Sequence, residues 1–194
     1  TGCNFYFSGT GAVLEAAPGL AFDDAALARW CDNIAAARAA LGWPDGDVIM
    51  RRHRSGVSLA FAAPLDCLYA ATEVNEWAWW AALLPLSEES RKAAFLPPLE
   101  GEGFKAGEGF GALLHAPGHA AVWDADSAMC TLRALAGAEA NPALLALQAA
   151  AAEHGLPCLP DDDEVSIGAG TGSRTWPADT LPDPATIDWA TLHA

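Results

Sequence analysis

The sequence predicts an α+β fold: a two-layer antiparallel sheet with helices on one face, in the order ββαββα, followed by a smaller α/β extension. Three observations carry it. Short aromatic and branched runs come in pairs about glycine-bearing turns, and a long periodic apolar stretch follows each pair. A Gly/Pro-rich stretch then separates the first 84 residues from the rest. Hydrophobic residues form 52% of the 194, and charged ones 18%, so there is enough apolar surface to fill such layers.

The elements follow in order. Phe5-Tyr6-Phe7 and Ala12-Val13-Leu14-Glu15 flank Ser8-Gly9-Thr10-Gly11 and predict a first hairpin. Asp23 and Asp24 precede a run in which Leu27, Trp30, Cys31, Ile34 and Leu41 share a helical face. Asp23 suits the cap, both acids suit the positive end, and Gly42 suits a left-handed stop. Val48-Ile49-Met50 and Val57-Ser58-Leu59-Ala60-Phe61 predict a second hairpin around Arg51–Gly56, with alternate apolar residues in its second strand. Pro64 opens a second helix that carries Leu68, Val74 and the group Trp77, Trp79, Trp80 to about residue 84.

Residues 85–111 hold Pro97-Pro98, many glycines and mixed charge, and read as a linker or loop. Residues 112–194 read as the smaller extension. Its expected elements are a hairpin over 112–123, a helix near Ser127–Leu135, and a helix from Asn141-Pro142 to His154 with Gly155 behind it. Two short strands are expected around Leu156–Leu159 and Val165–Ile167, and then an extended proline-containing tail from Trp176.

Charge narrows the functions. Twenty-five acids against ten bases leave a formal charge of −15, which repels a phosphate backbone and disfavours nucleic acid. Residues 1–97 carry 11 acids and 7 bases, residues 98–194 carry 14 and 3, so an anionic ligand should prefer the first half. Five scattered cysteines without metal-ligand spacing suggest reduced thiols in a cytoplasmic protein. The longest apolar run, Trp77–Leu86, is far short of a bilayer span, and no leader is visible. The opening Thr1, without a Met, suggests a processed chain or a piece of a longer one.

Against that negative background the cluster Arg51, Arg52, His53, Arg54 stands out. Guanidinium forks there would suit a carboxylate or phosphate, although a solvated hairpin tip paired with the protein's own acids gives the same pattern. Glu73 and Glu76, three apart on a predicted helix beside Asn75, would face a cationic ligand or pair with those arginines. His115 and His119, with Asp124 and Asp126 nearby, are split by Pro117-Gly118, which prevents a shared helical face; they could meet only across a turn, without any recognised ligand pattern. Gly168, Gly170 and Gly172 with Arg174 resemble an anion nest but lack the Gly-Lys-Ser/Thr of a phosphate loop. No catalytic set and no metal site emerge.

Several segments together resemble a known family. Thr1-Gly2-Cys3-Asn4 before an aromatic strand resembles the Gly-Pro-Asn opening of cyanophycin synthetases and their Mur-ligase-like relatives, with Cys3 in place of Pro. Leu68–Trp77 is similar to a helix of their N-terminal domain, with Glu73 kept and Val74 where the family has His. Asn141–Leu144, His154–Pro157 and Val165–Gly170 are similar to its closing helix, strand and glycine turn, and Ser173–Pro177 with Ile187–His193 to the approach to the central domain. The resemblance implies a noncatalytic, substrate- or peptide-binding N-terminal domain of an ATP-dependent amide-forming ligase. ATP and Mg would act in the parent enzyme beyond this chain, and no cofactor within it. The expected partners are an amino acid or peptide and the downstream ligase domains. The competing expectation is a structural module that forms a homo-oligomer through the Trp-rich helix.

Overall fold

The computed structural model describes residues 5–16, 24–84 and 124–193. It divides into two compact units, Phe5–Glu139 and one built on Ala140–Ala194. Both mix helices with a small antiparallel sheet, so the fold is α+β.

In the first unit, strands β1 (Gly11–Ala16), β2 (Val48–His53) and β3 (Gly56–Ala62) form a sheet in the order β1-β3-β2, antiparallel throughout. Helices α1 (Asp24–Leu41), α2 (Leu68–Leu83) and α3 (Ala125–Glu139) complete it. Val57, Leu59 and Phe61 alternate along β3 and are fully buried. The register brings Ala12, Leu14 and Ala16 beside them, and all six join one core with Trp30 and Ile34 of α1, Val74 and Trp77 of α2, and Leu132 of α3. Helices therefore cover one face of the sheet, because only that face is continuously apolar.

Two expectations are corrected here. Phe5–Phe7 forms bends rather than a strand, so no first hairpin closes, and among the described residues the sheet has three strands, not four. β1 instead pairs with β3, Gly11 opposite Ala62 through Ala16 opposite Val57. That non-local register places β1's apolar side on the helical face of the sheet. The second hairpin forms, but Arg51 and Arg52 belong to β2 and only Arg54-Ser55 make the turn. Gly56, at φ +147°, lets β3 leave that turn.

Helix α1 ends as its sequence foretells, with Gly42 at φ +69° in the left-handed stop. Before α2 the chain makes a short 3-10 turn, Leu65–Cys67. Helix α3, expected within the 112–194 extension, belongs to the first unit instead. It buries Ala128, Leu132 and Ala136, and its packing partners are α1 and α2. The Asp23 cap, the 85–111 linker, the 112–123 hairpin, His115 and His119 lie outside the described residues.

The second unit joins helix α4 (Pro142–Glu153) to strands β4 (Cys158–Pro160), β5 (Glu164–Ile167) and β6 (Arg174–Pro177), paired antiparallel in that order. The Asn141 side chain accepts a hydrogen bond from the Leu144 amide at 3.1 Å, and Pro142 occupies the first turn, as the sequence predicts. Part of the expected tail is strand β6, and two 3-10 turns, Pro184–Thr186 and Trp189–His193, follow it. Leu147, Val165, Ile167 and Leu192 are buried. Among the described residues no helix is long and apolar enough to cross a membrane.

Candidate functional site

The face of the first sheet opposite the helices is polar toward the β2–β3 turn. Register fixes why: Glu15 of β1, Ser58 of β3 and Arg51 of β2 lie directly across from one another, and so share that face. His53, two residues beyond Arg51, joins them.

Glu15 is the hub. Its carboxylate accepts from Tyr6 Oη at 2.9 Å and from Ser58 Oγ at 3.0 Å, and His53 Nε2 lies 3.1 Å away. The other imidazole nitrogen, Nδ1, is 3.0 Å from Ser55 Oγ. The Ser58 hydrogen bond, helped by Tyr6 and His53, holds the Glu15 carboxyl below the usual carboxylate range, against a smaller opposing push from desolvation. Ser55, His53 and Glu15 have the residue types of a nucleophilic relay. Ser55 is exposed to water, however, where a developing oxyanion gains little over solution. The arrangement is suited to binding.

The arginines divide by strand alternation. Arg52 turns to the helical side and pairs with Asp24 at the start of α1. Arg51 and Arg54 are exposed, and among the described residues neither has an ion-pair partner. The expected pairing of the whole cluster with the protein's acids thus holds, among the described residues, for Arg52 with Asp24 and His53 with Glu15, and not for Arg51 or Arg54.

The carboxylates expected to work with them do not. Glu73 is buried in the helical layer and hydrogen-bonds Tyr69, whose phenol is pushed up by that negative neighbour. Glu76 is half-buried, and burial raises its carboxyl. Both sit on α2, across the sheet from Arg51. Asn75 is a core residue: Trp30 Nε1 donates to its Oδ1 at 3.0 Å, and its Nδ2 donates to the Leu59 carbonyl at 2.9 Å.

The glycine turn of the second unit is folded on itself. Gly168 (φ +92°) donates its N–H to the Pro157 carbonyl, and a Cβ there would stand 2.9 Å from the Leu192 carbonyl oxygen. Gly170 accepts from both the amide and the hydroxyl of Ser173 before the Gly170–Gly172 3-10 turn ends, and Arg174 lies over the Trp176 ring. Close packing explains Gly168, and no helix begins after Gly172 to hold a phosphate. Among the described residues no group of three or more His, Cys, Asp or Glu is placed to hold a metal ion.

Tyr6, Glu15 and Ser58 escaped the reading of the sequence. Their signal is weak, a single acid ending an apolar strand, and it acquires meaning only through the β1–β3 register. Compared with known proteins, the sequence matches no family model and no curated protein.

Proposed function

We propose that the Phe5–Glu139 unit is a noncatalytic module that binds an acidic amino acid or peptide through its carboxylates. One observation carries this reading: in a protein of formal charge −15, Arg51 and Arg54 project from one hairpin beside His53, and among the described residues no acid pairs with either. Arginine offers planar forks that match a carboxylate, and a locally positive site on a negative protein is a selective one.

The resemblance to cyanophycin synthetases and Mur-ligase-like enzymes supplies the setting. There the module would be the N-terminal accessory domain of an ATP-dependent amide-forming ligase, holding the product near the catalytic domains. Such weak tethering raises the effective concentration of the chain end and limits loss between additions. ATP and Mg would belong to those other domains, and nothing among the described residues is assigned to nucleotide. The cytoplasm is the proposed compartment, supported by four unpaired described cysteines, Cys31, Cys67, Cys130 and Cys158. A homo-oligomer built on the Trp-rich helix has less support, because Trp77 and Trp79 are buried in this unit's own core.

Calorimetry with N-acetylated hexa-aspartate tests the reading. The intact chain should bind it, and the double variant Arg51→Ala/Arg54→Ala should bind about 10-fold or more weakly, the loss of two charge-assisted contacts. Absence of binding by the unaltered protein would remove the proposal.

A further inference from the structure

Among the described residues β2 is an outer strand of its sheet, and its hydrogen-bond phase can be read from one contact. Ala62 N–H donates to the Asp47 carbonyl at 2.9 Å, so positions 47 and 62 form a hydrogen-bonded pair. In an antiparallel ladder such pairs alternate. With the observed register, Ile49, Arg51 and His53 bond to β3, whereas Val48, Met50 and Arg52 aim their N–H and C=O groups away from it. Met50 is 45% exposed and Arg52 is exposed as well. Among the described residues no main-chain group bonds Met50 or Arg52 on that outer side.

From this phase we infer that the outer edge of β2 takes an extended acidic peptide as a fourth strand. The inference rests on the anion-binding reading above and adds the manner of binding: main-chain hydrogen bonds to Met50 and Arg52, with carboxylates selected by the arginines. Strand addition of this kind draws affinity from the backbone and specificity from alternate side chains. A peptide residue opposite Arg51 would lie on the same face, with Cβ atoms about 5 Å apart, within reach of an ion pair. Its neighbour would fall on the Arg52 side, where Asp24 already holds the guanidinium, and need carry no charge.

Charge also chooses the occupant. Edge arginines block pairing with another copy of β2, because like charges would then face each other. An acidic strand meets the opposite sign. The arginines that guard the edge against self-association thus admit one class of partner.

The experiment uses the full chain and the peptide N-acetyl-Asp-Thr-Asp-Thr-Asp-Thr-amide. Two analogues carry N-methyl groups on the Asp amides or on the Thr amides, leaving charge unchanged. With Asp opposite Arg51, the Thr amides face Met50 and Arg52. Methylating Thr should therefore weaken binding about 10-fold or more, and methylating Asp should leave it within about 2-fold. Met50→Pro removes an outward N–H at an edge position where proline is tolerated, and should weaken the parent peptide similarly. If both analogues respond alike, whether weakened or unchanged, the added strand is overturned while carboxylate binding stands. If the parent peptide fails to bind at all, the anion-binding reading falls and takes the edge with it.

Discussion

Asn75 shows how a polar residue in an apolar helix should be weighed. It is 1% exposed, between Trp30 of α1 and the Leu59 carbonyl of β3, and it satisfies both. Asn75→Leu would strand a buried indole N–H and remove a second donor from the Leu59 carbonyl, at about 1–3 kcal/mol. Chemical denaturation should show that loss without a change in slope. Glu15 is the opposite case, an exposed acid whose environment is legible only in three dimensions. Since Ser58 contributes most to depressing its carboxyl, Ser58→Ala should raise the Glu15 titration midpoint more than Tyr6→Phe does, followed by carbon-detected NMR. The sign for stability follows. A depressed carboxyl stabilises the fold above the usual carboxylate range, and that contribution is lost as pH falls through the lowered midpoint. Cys67 gives a third test. Burial, with help from Asp66 and Glu139, pushes its thiol up to about 12. In the native protein at pH 8 it should resist alkylation while the exposed Cys130 reacts, read by peptide mass mapping.

At the scale of elements, the boundary between α2 and α3 is the instructive one. The Glu139 carboxylate, at the end of α3, accepts from the Tyr69 and Ala70 amides, both at 2.8 Å, at the start of α2. α2 has no side-chain cap from its own preceding residue, so a distant acid meets the helix's free N–H groups and its positive end. Glu139→Ala should cost about 1–2 kcal/mol, and Glu139→Gln less, seen as a lowered melting temperature. Nothing in the sequence near Leu68 announces this partner. The elements that were legible have local causes: the 3.6-residue stripe of α1 and its Gly42 stop, the Asn141-Pro142 start of α4, and the alternation in β3. The elements that were misread depend on partners far along the chain. Gly11–Ala16 has one edge for Phe5–Phe7 and one for β3, and only the pairing with the distant β3 forms, where Ala12 and Ala16 are buried. The arginine site was half legible for the same reason. Its cations are contiguous in sequence, whereas Glu15 reaches their neighbour His53 from β1, across β3.

For the whole molecule, the main core decides what can stand alone. Its buried members run from Ala12 to Leu132, all within the Phe5–Glu139 unit, so that unit contains the apolar surface that stabilises it. The sequence suggested a break near residue 84 because Gly and Pro accumulate there, but Leu132 and Ala128 of α3 still belong to the first core. A glycine-rich stretch reports weak local structure, not the end of a packing unit. Residues 1–139 expressed alone should keep their helical circular dichroism and unfold in one cooperative transition. They should also bind the acidic peptide, because Arg51, Arg54 and the β2 edge are all retained. Truncation removes Glu153, the run Asp161–Glu164, Asp179, Asp183 and Asp188, yet only one base, Arg174. The fragment therefore repels an anionic ligand less than the full chain does, and its affinity should equal or exceed that of the full chain. The gain should be largest at low ionic strength and shrink as added salt screens the charges that truncation removes. A fragment that folds but binds more weakly at every salt concentration would mean that residues 140–194 supply contacts to the peptide, and the binding surface would then extend beyond the hairpin.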